Sequence, residues 1–430
     1  MKTEVAKLQY CHAPLTNFYL LKNNYFRLQM NIRRQQFLRH VAQTSQAPPA
    51  LDIESAKGVY LFDQNGKKYL DLISGISVSS LGHGHPEILA AAKDQIDKHM
   101  HLMVYGEFII SPQVSLAKRL SELLPENLSS VYFTNSGTEA VEGAMKLAKR
   151  FTGRTNFVSF KNSYHGSTQG ALSLSGNEWL KNAYRPLLNG ITILDFNDIS
   201  QFNLIDRNTA AVFVEPIQAE AGIRLPENDF LKKLSDHCKK VGALLIFDEI
   251  QTGMGRTGKL FSFQHFNVVP DVLLLGKALG GGMPVGAFIS SNEIMQTLSF
   301  EPVLGHLTTF GGHPVCCATA SAALEIVVRE KLAEYVIEKE KLFRKLLVHE
   351  NIRIIRGKGL LLCIQFESEK FNQDVIAKCY ENGLITDWFL FASDCLRIAP
   401  PLIINEDEIR ECCSIIIRSI EEVKNQITVK

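Results

Sequence analysis

The feature that most constrains this chain is a block from Ala210 to Val285 in which short runs rich in Val, Ile and Leu alternate with helix-length polar segments. Runs that are apolar throughout belong to strands covered on both faces, so the block reads as a parallel sheet packed between helices. Three of these runs end in a charged residue. Val212, Phe213 and Val214 lead into Glu215; Leu244, Leu245, Ile246 and Phe247 lead into Asp248; Val272 to Leu275 lead into Gly276 and Lys277. Ligands of open α/β sheets bind beyond the carboxyl ends of the strands, so three charges delivered there mark a site.

The rest of the chain adds a smaller layer. Val59, Leu61, Tyr69 and Leu70 alternate around Asp63, Gln64, Asn65 and Gly66, which predicts a hairpin. After Pro314 a small-residue helix is expected over Cys316 to Val328, then strands at Ile352 to Ile355 and Leu360 to Phe366, and a closing helix after Asn405. The expected division is an N-terminal extension (1–29), a first part of a small domain (30–75), a large domain (76–314) and a C-terminal small domain (315–430). In the extension, Lys22, Asn23 and Asn24 interrupt Phe18 to Leu21 before a signal-type apolar region can form. Met30 opens a fresh segment and is a second candidate for the start of translation.

Composition removes several function classes. With 46 basic and 45 acidic residues the net charge is +1, which provides no bulk field for nucleic acid or an anionic membrane. No run approaches the roughly 20 apolar residues of a membrane helix. Nine cysteines, without CxxC spacing and with adjacent pairs at Cys316, Cys317 and Cys412, Cys413, make a poor disulfide framework and fit a reducing cytoplasm. No metal-ligand pattern stands out.

Between the strand Val131 to Phe133 and a helix with apolar face Val141, Ala144, Met145 and Ala148 lies Thr134, Asn135, Ser136, Gly137, Thr138. A glycine, hydroxyls and free amides at a helix start can cradle an anion; the same residues also serve as plain helix caps. Tyr164 and His165 could offer an aromatic face to a flat ligand, or could be structural core aromatics. Asp248, after a wholly apolar strand, needs a cationic partner such as a protonated ring nitrogen of a ligand; an ion pair with a neighbouring Lys or Arg, or a helix cap, is the plain alternative. Lys277 precedes Ala278, Leu279 and three glycines, and in so apolar a setting its ammonium gives up its charge more readily, as amine chemistry requires; a snorkelling surface lysine is the plain alternative.

Taken in order, NSGTEA at Asn135 to Ala140, EPIQAEAG at Glu215 to Gly222, DEIQTGMGRTG at Asp248 to Gly258, LLLGKALGGGMPVGA at Leu273 to Ala287, TTFGGHP at Thr308 to Pro314 and LRIAPPL at Leu396 to Leu402 resemble the class III aminotransferases, pyridoxal-phosphate (PLP) enzymes of fold type I. The resemblance covers the chain from about Met30 onward. It implies an α/β fold: a mostly parallel sheet in a large domain, with a smaller α+β domain built from both chain ends. It also implies that Lys277 carries the cofactor as a Schiff base, that Asp248 pairs with the ring nitrogen, and that Gln251 contacts the phenolic oxygen. Tyr164 would stack on the ring, and Gly137 and Thr138 would hold the phosphate. Thr309 would reach the phosphate of a neighbouring subunit, so that the active unit is a homodimer with shared sites, or a tetramer built from it. Ser136, His165 and Glu215 complete the expected cofactor set.

On the substrate side the resemblance implies that Arg397 takes the carboxylate of a 2-oxo acid and that Glu220 covers it otherwise. Leaving such a buried guanidinium unpaired costs roughly 3 to 5 kcal/mol, which a covering glutamate avoids. A permanent structural ion pair is the alternative. Ser167 stands where acetylornithine, ornithine and many 4-aminobutyrate aminotransferases have arginine, and Ile76 where ornithine enzymes have tyrosine, so both cut against those substrates. His313 and Ala219 depart from the family's usual asparagine and glycine. The expected activity is ping-pong transfer of an amino group from an ω-amino acid or diamine (ornithine, acetylornithine, lysine or 4-aminobutyrate-like) to a 2-oxo acid, 2-oxoglutarate first and pyruvate as its rival. A PLP aminomutase or racemase, and a non-catalytic PLP-fold binding protein, are the other readings.

Overall fold

A computed structural model describes residues 32–428. The extension 1–29 and the proposed start at Met30 lie outside the described residues. Two compact units are present: residues 32–55 with 62–67, and residues 56–61 with 68–428. In the first, the helix Ile32–His40 buries no residue, and the turn at Asp63 is closed by its own carboxylate, whose Oδ1 accepts the N–H groups of Asn65 (2.8 Å) and Lys67 (2.9 Å). The turn expected at these residues forms because Asp63 supplies acceptors and Gly66 tolerates φ 79°.

The second unit is organised by a seven-stranded sheet ordered Ser130–Thr134, Gly286–Ser290, Val272–Leu275, Leu244–Asp248, Thr209–Val214, Asn156–Phe160, Ile191–Leu194. Gly286–Ser290 runs antiparallel to both neighbours, and the strands from Val272–Leu275 to Ile191–Leu194 are parallel. Continuous apolar runs have a direct explanation here. Val212, Val214, Leu245, Phe247, Leu273 and Leu275 enter one core, while Ala211, Phe213, Leu244, Ile246, Val272 and Leu274 enter another on the opposite face. The helix Gly137–Thr152 covers the second face with Ala140, Val141, Ala144, Met145, Leu147 and Ala148, all buried.

Further along, Ile354–Lys358, Leu361–Gln365, Ala392–Ile398 and Trp388–Phe389 form an antiparallel sheet, covered by the helix Glu369–Glu381, against which the helix Glu406–Thr428 packs. Lys68–Asp71 pairs in parallel with Leu384–Ile385. Boundaries differ from expectation for local reasons. The first of these strands starts two residues late because Ile352 spends its N–H on the carbonyl of His349 in a turn. The helix expected at Cys316 begins at Pro314, where a missing N–H costs nothing in the first turn, and His313 Nδ1 caps it by accepting the N–H of Val315 at 3.3 Å. No helix of the described residues is long and apolar enough to cross a membrane, and the eight described cysteines are buried and form no disulfide.

Candidate active site

The three strand ends converge as the sheet order requires, since Thr209–Val214, Leu244–Asp248 and Val272–Leu275 are adjacent and parallel. Lys277 follows its strand in a left-handed conformation (φ 46°), and its Nζ lies 3.3 Å from Gln251 Oε1. Burial lowers the pKa of its ammonium, with Arg397 adding to that effect and the carboxylates of Glu220, Asp248 and Glu215 opposing it.

Asp248, 5% exposed, has a partner within the chain: His165 Nδ1, at 2.7 Å from Oδ2. The neighbouring Lys or Arg considered from sequence is not the partner; an imidazole is. Oδ1 accepts the N–H of Ile250 at 3.0 Å. Burial alone would lower the pKa of His165, but the hydrogen bond and charge of Asp248 outweigh it and raise it. Beside them Glu215 is pushed up to about 8, by burial and then by the charge of Asp248, although it accepts the N–H groups of Ala219 (3.2 Å) and Tyr164 (3.4 Å).

At the start of the helix Gly137–Thr152, Ser136 does cap: its Oγ accepts the N–H of Glu139 at 3.3 Å. Capping and cradle coexist, because the N–H groups of Gly137 and Thr138 lie in the first turn, where no earlier helical carbonyl reaches them. The space beside them is tight. A Cβ on Gly137 would come within 2.7 Å of Ile250 Cδ1, and one on Gly166 (φ 135°) within 2.2 Å of Thr138 Oγ1. Thr138 Oγ1 is 2.8 Å from Thr168 Oγ1, which donates to Glu142 Oε1 at 2.6 Å. Thr168 and Glu142, which orient Thr138, were not singled out in the sequence because their contacts span about 30 residues.

Tyr164 is half-buried and its hydroxyl lies 3.1 Å from Oγ of the exposed Ser167. Thr309 is exposed, and its carbonyl faces His101 Nε2 at 2.8 Å. Ile76 lies in a run of four left-handed residues, Ser74, Gly75, Ile76 and Ser77. That run is held by Asp71 Oδ1, which accepts from the N–H groups of Ile73 and Ser74, and by the buried Arg256, whose Nη2 reaches Ser80 Oγ at 2.9 Å and Ser74 Oγ at 3.4 Å.

Glu220 and Arg397 form a bidentate pair, Nη1 to Oε1 at 2.9 Å and Nη2 to Oε2 at 3.0 Å, with both side chains at most 5% exposed. Burial pushes the carboxyl pKa of Glu220 up, but Arg397 more than offsets it, and Glu220 stays below the usual carboxylate range. Asp387, not anticipated from sequence, accepts from Arg397 Nε at 2.7 Å. The departure Ala219 packs with Ile217, Leu361, Cys363 and Phe389 in a small core, so a methyl group there fills space.

The residues present fit PLP. Among the described residues His165 Nε2 and Gln251 Nε2 are buried without a hydrogen-bond partner, the glycines at a helix N-terminus suited to a phosphate stand where any side chain would collide, and a lysine of lowered pKa lies next to Gln251.

Residues 41–420 match the family model described as aminotransferase class-III. The acetylornithine aminotransferase of Methanopyrus kandleri is 40% identical over 360 residues, covering 83% of this chain and 90% of that relative. The [LysW]-aminoadipate semialdehyde/glutamate semialdehyde transaminase of Sulfurisphaera tokodaii is 35% identical, over 87% of this chain and 96% of the relative. Among solved structures, the ornithine aminotransferase from Toxoplasma gondii superposes with a TM-score of 0.84 at 33% identity, covering 91% of this chain and 94% of that one. The chain belongs to the class III aminotransferases and is a PLP-dependent aminotransferase of fold type I.

Proposed function

We propose that this enzyme moves the amino group of an ω-amino acid or diamine to a 2-oxo acid in two half-reactions, and that the Glu220–Arg397 pair decides which substrate is admitted. The observation that carries the proposal is this bidentate buried pair, whose charges both act on Lys277. With Glu220 on Arg397 the guanidinium is neutralised, which suits a donor whose reacting carbon bears no carboxylate. A 2-oxo acid replaces Glu220 on the same two nitrogens. An aminomutase or racemase has no need for such an exchange. Relatives named for acetylornithine, ornithine and aminoadipate semialdehyde support donors reacting at an ω end. Ser167, an exposed hydroxyl, offers no charged fork for a distal carboxylate, which within this donor class favours diamines over ω-amino acids.

Bound PLP supplies an electron sink for the carbanion formed at the reacting carbon. Lys277 Nζ would hold the cofactor and, as an amine of lowered pKa, would be the group able to take up and return a proton beside Gln251. Asp248, fixed by His165, would favour a proton on the ring nitrogen. Gln251 would face the phenolic oxygen and Tyr164 would cover the ring. Ser136, Gly137 and Thr138 would hold the phosphate, and Glu215 keeps the turn at Tyr164 in place by accepting its N–H. In the same reading the large domain spans 76–314 and the small one is drawn from both ends.

The active unit is a homodimer to which Thr309 of each subunit contributes. The segment around it exposes Val303 (72%), Leu304, Leu307 and Phe310, more apolar surface than water-facing loops need. The reduced, buried cysteines fit a cytoplasmic enzyme. The test is absorption spectroscopy of the purified holoenzyme with a panel of amines and no acceptor. ω-Amino donors should convert the cofactor to its amine form, and 2-oxoglutarate or pyruvate should reverse it. Conversion only by α-amino donors, or substrate isomerisation without net conversion, would reject the reading.

A further inference from the structure

One charged group beside the gate is not accounted for by the two-partner exchange. Asp387 lies between the short strands Leu384–Ile385 and Trp388–Phe389 and grips Arg397 twice. Its carbonyl accepts the backbone N–H of Arg397 at 2.9 Å, and its Oδ1 accepts from Nε at 2.7 Å. The next two residues continue the grip. The Trp388 carbonyl accepts from Nη2 at 3.1 Å, and the Phe389 ring lies 4.2 Å from the guanidinium carbon. Leu390 then donates its N–H to Glu220 Oε2 at 3.1 Å, and Phe391 donates to the carbonyl of Glu220 at 3.0 Å.

A guanidinium is a flat fork of five N–H groups. Here the Nε edge, one Nη2 hydrogen and one face are committed to residues 387–389, which leaves the Nη1–Nη2 edge for a single carboxylate. That edge and the Leu390 N–H together make three donors, and Glu220 takes all three. When Glu220 departs, those donors stay where they are only if something else fixes the plane of the guanidinium and balances its charge. Asp387 is placed to do both, since it does not share the edge being exchanged.

We propose that Asp387 is the positioning residue of the gate, holding Arg397 oriented and paired while Glu220 gives way to the carboxylate of the 2-oxo acid. This rests on the reading in which Arg397 takes that carboxylate. It predicts a division of labour: Glu220 decides whether the cradle is open, and Asp387 decides whether the open cradle has the right shape. Removing Asp387 would leave only the Trp388 carbonyl and the Phe389 ring to orient the guanidinium each time the gate opened, with no carboxylate on it.

The test uses the PLP-loaded enzyme and glutarate, a dicarboxylate with neither a carbonyl nor an amine to react, titrated by calorimetry and followed by the shift in the cofactor spectrum. Asp387→Ala should weaken glutarate binding roughly tenfold or more, the scale of one lost charged hydrogen bond. It should raise KM for the 2-oxo acid in the same proportion, with the amine half-reaction and its kcat kept. Asp387→Asn keeps an acceptor for Nε and should restore most of the affinity. If Asp387→Ala does not yield folded enzyme, Asp387→Ser, whose hydroxyl is too short to reach Nε, carries the same comparison. Arg397→Lys run in parallel separates the two readings. Glutarate affinity lost in Arg397→Lys but unchanged in the Asp387 variants overturns the positioning role alone. Affinity unchanged in Arg397→Lys overturns the carboxylate reading itself. Equal losses in both half-reactions would reduce Asp387 to a structural ion pair.

Discussion

At the scale of single residues, Lys277 and Ser167 lead to separate expectations. Lys277 Nζ is the only amine beside Gln251 among the described contacts, so Lys277→Ala should abolish transamination while still allowing PLP to bind noncovalently through the helix N-terminus. Reduction with borohydride should then fix no cofactor to the protein, and persistence of a covalent adduct would show that another lysine does the work. Ser167→Arg should add a charged fork where Tyr164 now meets only a hydroxyl, and donors with a distal carboxylate should gain roughly tenfold in kcat/KM. No gain would mean that position 167 does not set selectivity. Asp248 and Lys277 could be placed together from sequence because each stands at the end of a strand that an apolar run marks, whereas Gln251 was reached only through the family resemblance. His165 as the partner of Asp248, and Asp387 as the second carboxylate on Arg397, were not legible. The first pair is 83 residues apart and the second meets across a bulged hairpin, and no periodicity reports either distance.

Elements show a different kind of constraint, in which the cofactor pocket is shaped by where side chains are missing. Gly166 has φ 135°, and a Cβ there would lie 2.2 Å from Thr138 Oγ1 and 3.0 Å from Thr138 Cα, so the obstacle includes backbone at the helix start. Gly166→Ala should therefore push Thr138 out of line and weaken PLP affinity by at least tenfold, with helix content unchanged by circular dichroism. Gly137→Ala meets the flexible Ile250 side chain first, at 2.7 Å from Cδ1, and should be milder. Adding Ile250→Val should recover part of its loss, and a double-mutant cycle on PLP affinity with no coupling would refute the contact. The sheet itself could be read in advance because alternate residues feed two cores, one on each face. The run of left-handed residues from Ser74 to Ser77 could not, since Ile76 and its neighbours carry no sequence mark of such backbone. It persists because Arg256 and Asp71 hold it from outside, and Arg256→Met, which strands the carbonyl of Leu360 and Ser80 Oγ, should cost roughly 3 kcal/mol of stability.

For the whole molecule, the buried acids and bases fix how stability depends on pH. Glu249, buried and pushed up to about 8 by desolvation, accepts the N–H groups of Ser262 and Phe263 at 2.5 and 2.6 Å, and Glu215 is raised to about 8 as well. His265 is moved the other way, down to about 4, by burial and by the charge of Lys358. A carboxyl raised from its unfolded value of 4.5 holds a proton in the native state that the unfolded chain has lost, so its contribution is complete below 4.5 and disappears as pH rises through 8. His265 does the reverse: the unfolded chain takes up a proton below 6.5 that the native state refuses until about 4, so stability falls as pH drops through that window. Between 4.5 and 6.5 the two slopes oppose each other. Above 6.5 the raised carboxyls act together with His165, whose raised pKa has the same sign, and against Lys277, whose lowered pKa has the opposite one. The cofactor-free enzyme should therefore lose stability from pH 6.5 to 8, by at most about 1.4 kcal/mol per pH unit for each proton involved. Glu249→Gln places an amide against two backbone donors, so it should lower stability at every pH, but it should also flatten the decline by one proton. Denaturant midpoints measured at half-unit steps of pH give that slope, and an unchanged slope in Glu249→Gln would mean that Glu249 is ionised in the native core.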